Sequence, residues 1–592
     1  MTYSPFASFP LISNLKPVEG AAQGQFVPKF LMPCDRMQRS FNRRGFLRLG
    51  TGAAAAPIFP RVLAPAASSP VFEIKPLRGV DFILQNSPTR KKFLIETMPG
   101  GVALFDYNND SLLDIFFVNG GAITEKLHVP ENLDRSNPRY WNRLYRQNRD
   151  GGFTDVTEAA GLAHAGNGNY GMAVAVGDYD NDGYPDLFVA SYGKNILDHN
   201  NGDGTFTDVT AKAGVAGGGW SGSAGFFDYN NDGHLDLFVT RYMEWDADHN
   251  KICGDSWKTY CPPGEFPGTT CLLYRNRGDG TFEDVSERSG IAAKKGRALG
   301  VAFADYDDDG FTDTYVSNDG MQAYLYHNNG DGTFEERALE SGTALSMDGK
   351  AFSGMGTVFQ DYDNDGRPDI IVTVLPRQLY SVFHNDGGGV FTYESLETGM
   401  GSLTPGSSGW GVGLEDFNND GWKDLFVAQS HVLDNVHDID SSLEYKMLPL
   451  LAMNHKGHFE FADSGVSTPL AGRGAAFGDI NNDGWMDVVL TTLGGAPILL
   501  LNRGGGNHWL SITLEGTRSN RDGFGARVRV NSQTRFATST GGYSCSNDKR
   551  LHFGLGDSTT ALIEVLWPSG ARQTLKDVAA DQFLKIREPE HS

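Results

Sequence analysis

Asp178-Tyr179-Asp180-Asn181-Asp182-Gly183-Tyr184-Pro185-Asp186 decides the fold of this chain, because six other stretches repeat its pattern. Four keep the full D-x-[DN]-x-D-G-x-x-D form closest to it: Asp228–Asp236 (DYNNDGHLD), Asp305–Asp313 (DYDDDGFTD), Asp361–Asp369 (DYDNDGRPD) and Asp416–Asp424 (DFNNDGWKD). Asp479–Asp487 (DINNDGWMD) also fits, and Asp106–Asp114 (DYNNDSLLD) departs only in placing Ser111 where the others have glycine. First aspartates recur at steps of 50 to 77 residues, the signature of a repeat architecture with insertions.

The spacing carries chemistry. Side chains at positions 1, 3, 5 and 9, with a backbone carbonyl at position 7, can wrap oxygen around one hard cation, and glycine at position 6 permits the sharp turn. The candidate ligands are Asp106, Asn108, Asp110, Leu112 and Asp114 in the first loop, and Asp178, Asp180, Asp182, Tyr184 and Asp186 in the second. The third offers Asp228, Asn230, Asp232, His234 and Asp236, and the fourth Asp305, Asp307, Asp309, Phe311 and Asp313. The fifth has Asp361, Asp363, Asp365, Arg367 and Asp369, and the sixth Asp416, Asn418, Asp420, Trp422 and Asp424. Asp479, Asn481, Asp483, Trp485 and Asp487 complete the set. Leu112, Tyr184, His234, Phe311, Arg367, Trp422 and Trp485 would contribute only their carbonyls. An all-oxygen donor set favours Ca²⁺, up to seven ions, over zinc or copper. These are not EF-hands: Val189, Val239 and Val316 stand where a bidentate glutamate would be.

Charge agrees. The chain has 592 residues, 74 of them glycine, and a net charge of −23. The loops alone hold 24 ligand-position aspartates, which would repel one another strongly unless a cation neutralised them. An acidic surface argues against nucleic acid and anionic membranes as partners, and no run of 18 apolar residues could span a bilayer.

Alternating runs such as Met172–Gly177 and Leu187–Ala190 flank the loops, so each loop reads as a cation-filled β-hairpin turn. A second motif follows each loop, an Asn, a glycine-rich turn and an aromatic: Asn148…Phe153, Asn201…Phe206, Asn276…Phe282, Asn328…Phe334, Asn385…Phe391, Asn454…Phe459 and Asn502…Trp509. It reads as a hairpin into an outer strand. Four strands per unit and seven units predict an all-β, seven-bladed β-propeller over 67–506, plus a small β-rich C-terminal domain over 507–592. Val71–Ile74 precedes the first loop yet resembles a fourth strand, so it is expected to complete the last blade and close the ring. With the blades then complete, deleting the chain from Gly516 onward is expected to cost far less than deleting the closing strand.

The repeats resemble the FG-GAP/VCBS repeats of integrin α-subunit propellers and of bacterial secreted proteins. Asn507–Leu510, Ser519–Val528, His552–Gly556 and Trp567–Gly570 resemble an ASPIC/UnbV domain. The combination is similar to the cartilage acidic protein family and its bacterial relatives. That resemblance implies extracellular or periplasmic calcium binding and a role in binding or adhesion, and it brings no defined reaction.

Residues 1–66 read as an N-terminal extension with an export signal. Asn42-Arg43-Arg44-Gly45-Phe46-Leu47-Arg48 and the Ala53–Ala56 run resemble a twin-arginine signal, with Ala64-Pro65-Ala66 as the cleavage site. In a periplasmic or extracellular compartment Cys253 and Cys261, eight residues apart, form the candidate disulfide; pairing of Cys271 and Cys545 stays open.

Outside the loops, His431, Asp434, His437, Asp438 and Asp440 could bind a transition metal or serve acid–base chemistry, or simply form a solvated loop. Trp220, Trp410 and Arg473 are ligand-contact or packing candidates. Gly217–Gly222 matches G-x-G-x-x-G but opens no helix, so dinucleotide binding is not expected. Two functions remain: a binding or adhesion scaffold for a protein or glycan ligand, and a secreted polysaccharide lyase or hydrolase using the propeller mouth.

Overall fold

The computed structural model describes residues 71–590 apart from 124–126, 129, 164–167 and 255. The twin-arginine stretch therefore lies outside the described residues. Among those residues, seven antiparallel sheets of four main strands follow one another along the chain, one of them with Phe352–Ser353 added as a short fifth strand. Each begins with an inner strand, among them Val102–Phe105, Asn169–Gly177, Ser221–Phe227 and Ala298–Ala304. Thr357–Gln360, Gly409–Glu415 and Gly472–Gly478 are the other three. Every inner strand touches the next, and Gly472–Gly478 touches Val102–Phe105, so the sheets are the blades of a closed β-propeller.

The burial of each strand follows from this ring. Inner strands have neighbours on both faces, and all nine residues of Asn169–Gly177 are buried. Outer strands face water on one side, so in Phe206–Asp208 only the phenylalanine is buried. The last blade is completed from the other end of the chain: Phe72–Lys75 pairs antiparallel with Ile498–Asn502, Phe72 opposite Asn502.

Aromatic pairs join the blades. Tyr107, Tyr179, Tyr229, Tyr306 and Tyr362, each following the first loop aspartate, stand 5.5–6.0 Å from Phe206, Phe282, Phe334, Phe391 and Phe459 on the next blade. Phe417 meets Phe72 at 5.2 Å in the same way. Phe72 thus fills the role the sequence pattern suggested for Trp509. Trp509 belongs instead to His508–Glu515, a strand of the C-terminal domain. The reason is connectivity: the seventh unit's outer strand comes from the N-terminal side, so the chain after Asn502 is free to start a new sheet.

The C-terminal domain holds a three-stranded sheet, with His508–Glu515 between Leu551–Gly556 and Gln582–Arg587, and a four-stranded sheet built from Arg527–Val530, Gln533–Phe536, Thr560–Leu566 and Arg572–Ala579. No helix of the described residues is long and apolar enough to cross a membrane.

Candidate functional site

The seven loops share one hydrogen-bond plan. The first aspartate accepts the N–H of position 6 through Oδ2, at 2.7–3.0 Å, from Ser111, Gly183, Gly233, Gly310, Gly366, Gly421 and Gly484. The ninth-position aspartate accepts the N–H of position 2 through Oδ2 and, through Oδ1, the N–H of the residue near the end of the blade's third strand, as Asp186 does from Tyr179 and Asn200. Ser111 does not break the plan: it takes the left-handed φ of +69° that glycine takes elsewhere.

These contacts converge carboxylates. Donor atoms of Asp178, Asp180 and Asp186, and of Asp305, Asp307 and Asp313, lie within 4.8 Å of one another. Burial pushes Asp114 and Asp178 up to about 8, and Asp228, Asp313 and Asp369 up to about 7, with neighbouring carboxylates adding to each shift. Such groups resist carrying charge together unless a cation sits among them. The clusters could therefore hold a divalent metal.

The asparagine of the second motif does more than turn the chain. Asn200 Nδ2 donates to the carbonyl of Tyr107 on the preceding blade at 2.8 Å, and Asn276, Asn328, Asn385 and Asn454 repeat the bond to Tyr179, Tyr229, Tyr306 and Tyr362. Asn502 reaches Phe417, and Gln147 reaches Ile480 to close the circle. In the first two units the bridging residues are Gln147 and Asn200, one before the Asn148 and Asn201 of the sequence motif. The left-handed fourth residue of six loops makes a second ring: Asn109, Asn181, Asn231, Asn364, Asn419 and Asn482 donate to the next loop's sixth carbonyl. Asp308 breaks that ring and pairs with Arg527 of the C-terminal domain.

The C-terminal domain covers this loop face. Arg521 N–H donates to Asn181 Oδ1 at 2.8 Å, Arg550 to Asn482 Oδ1 at 2.7 Å, and His552 Nε2 lies 2.6 Å from Asn419 Oδ1. A Cβ at Gly484 would stand 1.9 Å from the Trp509 ring, so the loop glycine also makes room for the cap.

Its segment 539–548 enters the centre of the propeller. Ser546 pairs in parallel with Ala103, and Ser544 accepts from Val174 N–H at 3.1 Å and donates to Ser223 at 2.9 Å. Gly542 accepts from Thr357 N–H at 3.3 Å, and Asp548 donates to the Phe477 carbonyl at 3.0 Å. A Cβ at Gly300 would stand 2.8 Å from the Gly542 oxygen, and Tyr543 packs edge-on to Trp410 at 5.3 Å. All seven blades meet this plug, so the C-terminal domain packs against the inner strands as well as against the loop face. The long segment between Phe536 and Leu551 carries no strand alternation and so gave no sign of a buried position.

A cavity of about 540 Å³ is lined by Met98, Tyr242, Trp257, Tyr260, Leu375 and Leu433, with Asp319, His431, Asp438 and the Cys253–Cys261 disulfide, whose Cα atoms stand 4.9 Å apart. Of the histidine–aspartate stretch only His431 and Asp438 line it. Asp434 pairs with Lys92 at 2.7 Å, His437 with Glu444 at 3.0 Å and Asp440 with Arg377. Burial and the nearby Arg473 guanidinium push His431 down to about 4, so its ring is neutral at pH 7, and its Nδ1 accepts from Leu433 N–H. Asp319 is raised by burial and accepts the Tyr242 hydroxyl at 2.7 Å. Trp220, Trp410 and Arg473 are fully buried, with Arg473 lying 4.2 Å over the Trp410 ring, and serve as packing. Cys271 and Cys545 are both buried and unpaired.

FG-GAP-like repeat models match residues 106–189, 178–239, 268–316, 305–372 and 361–427, and an ASPIC and UnbV model matches 516–592. Cartilage acidic protein 1 of Homo sapiens is 25% identical over 327 residues, covering 53% of this chain and 47% of the relative. The Xenopus tropicalis protein is 24% identical over 315 residues, 50% and 45% of the two chains. The chain spans about half the length of these relatives. Among solved structures, YCF48 bound to a D1 peptide aligns at TM-score 0.40 and 8% identity over 75% of this chain and 99% of its own. The sequence matches and the four-stranded sheets agree: the chain is an FG-GAP-like repeat β-propeller carrying a C-terminal ASPIC and UnbV domain.

Proposed function

We propose that the protein is an exported, calcium-binding interaction scaffold that takes a protein or glycan ligand at the cavity beside the Cys253–Cys261 loop, in the periplasm or outside the cell. The observation that carries this reading is the division of the propeller. The C-terminal domain covers the loops and fills the channel, while the cavity lies outside that cap, lined by apolar and aromatic side chains with two carboxylates. Pockets of this volume and polarity are ordinary ligand sites. Trp257 and Ile439, 53% and 48% exposed at its edge, are large apolar groups open to a partner. Calcium in the loops would act structurally, holding the face on which the cap rests.

The test is a glycan array and an array of apolar-anchored peptides, probed with the purified chain and with Trp257→Ala and Ile439→Asp variants. Binding that falls at least tenfold in both variants, with unchanged melting, supports the cavity. Binding equal in all three proteins places the ligand elsewhere.

A further inference from the structure

The loops fall into two classes. Four carry asparagine at position 3, and Asn108, Asn230, Asn418 and Asn481 each donate Nδ2 to the position-5 aspartate at 2.8–3.1 Å. Three carry aspartate there, Asp180, Asp307 and Asp363, which cannot donate. In those same three units, and in none of the other four, the residue before the blade-bridging asparagine is a histidine: His199, His327 and His384. The other units have Arg146, Arg275, Met453 and Leu501 at that place.

Each histidine completes the same triangle. His199 Nδ1 lies 3.3 Å from Asp180 Oδ2 and 3.2 Å from Asp186 Oδ1. His327 Nδ1 lies 3.3 Å from Asp307 Oδ2 and 3.4 Å from Asp313 Oδ1. His384 Nδ1 lies 3.4 Å from Asp363 Oδ2 and 3.3 Å from Asp369 Oδ1. His327 is only 9% exposed, and its Nδ1 is buried with no hydrogen bond of acceptable geometry, as are His384 Nδ1, Asp180 Oδ1 and Asp307 Oδ1. Donors bonded about 2.0–2.2 Å from one ion, at tetrahedral to octahedral angles, stand roughly 2.8–3.6 Å apart. The three triangles have that spacing.

Imidazole nitrogen beside carboxylates suits first-row transition ions, whereas hard calcium prefers oxygen alone. We propose that the loops at Asp178, Asp305 and Asp361 form a second class of site, which takes a divalent transition-metal ion through the position-3 and position-9 carboxylates and the histidine Nδ1. The four asparagine loops remain oxygen-only sites. The inference rests on the reading of the loops as cation sites. It goes beyond that reading by assigning a different ion to three of them.

Co²⁺ is the probe, added to the full chain in saturating Ca²⁺, with bound Ca²⁺ measured in the same samples. About three equivalents should bind with a visible d–d absorption, and His199→Asn, His327→Asn and His384→Asn should each remove about a third of it. The double substitution Asn108→Asp with Arg146→His converts an asparagine loop and should add about one equivalent, a test that survives if any of the histidine variants misfolds. Calcium uptake with no histidine-dependent cobalt spectrum overturns this inference alone, and leaves the histidines as counter-ions to the extra carboxylates. Absence of both ions overturns the loop reading as well.

Discussion

Tyr543 donates its hydroxyl to the carbonyl of Met98 across 3.2 Å, although 445 residues of chain separate them. Met98 lines the cavity and Tyr543 belongs to the plug, so the C-terminal domain supports the wall of that cavity through the channel it fills. One segment thereby ties together the inner strands, the loop face and the cavity.

Changing the plug should therefore destabilise the propeller as a whole. Gly542 has φ +69°, and a Cβ there would stand 2.8 Å from the Thr357 oxygen and 2.9 Å from that of Val412. Gly542→Val is expected to cost about 3 kcal/mol or more, through backbone strain and overpacking together. A chain ending at Gly506 should aggregate or melt far below the full chain. Equal melting temperatures for the shortened and full chains would refute the role assigned to the plug.

The seven loops, their flanking strands and the N-terminal closing strand are all legible in the sequence, because a nine-residue acidic motif and strand alternation are local signals. The plug is not. Its contacts run through backbone atoms and small residues such as Ser544 and Gly542, whose identities carry no periodicity. The blade-bridging role of Asn276 and its equivalents was visible only as a turn motif, since a bond to Tyr179, 97 residues away, leaves no local trace. The pairing of Asp180 with His199 is written in the sequence as a covarying pair of positions, but it becomes meaningful only once the hairpins bring them within 3.3 Å.

Glu96 supplies a pH dependence. It is fully buried, accepts from Thr89 and the Tyr260 hydroxyl, and is pushed by burial up to about 7 from an ordinary value of 4.5. A carboxyl whose folded value is raised favours the fold while protonated in the folded state, so its contribution is full below about 4.5 and is lost as pH rises through about 7. Between pH 5 and pH 8 this amounts to about 2 kcal/mol. Glu96→Gln should flatten that part of the profile. Parallel stability–pH curves for the two proteins, by denaturant titration, would count against the burial of an ionisable Glu96.

Ser111 offers a stabilising change. A side chain in the left-handed region costs about 1–2 kcal/mol, while glycine gives back about 0.5–1 kcal/mol through its freer unfolded chain. Ser111 is exposed, and its carbonyl accepts from Asn482, a bond that glycine would keep. Ser111→Gly is expected to raise stability by about 0.5–1 kcal/mol, read as a shift of the denaturant midpoint at constant slope. A lower midpoint would mean that the serine hydroxyl does something in that loop which its exposure does not reveal.

On the calcium reading proposed above, chelation should have a larger effect than any of these single substitutions. The loops gather 24 ligand-position aspartates, and burial holds the ninth-position carboxylates Asp114, Asp313 and Asp369 far above their ordinary range. An ion that binds only the folded loop stabilises it by about 2.7 kcal/mol when present at a hundred times its dissociation constant. Several such sites act on one set of loops, six of which are joined to the next, as Asn109 is to Gly183, Asn181 to Gly233 and Asn482 to Ser111, while Asp308 interrupts the circle. Loss of the ions should thus loosen the loop ring and the seat of the C-terminal domain together. Excess EGTA is expected to lower the melting temperature by on the order of 10 °C or more, with recovery on adding Ca²⁺ back. Stronger chelation that also strips transition metals should lower it further if His199, His327 and His384 hold a second kind of ion. A melting curve unchanged by both treatments would leave the carboxylate clusters held by hydrogen bonds and protons alone.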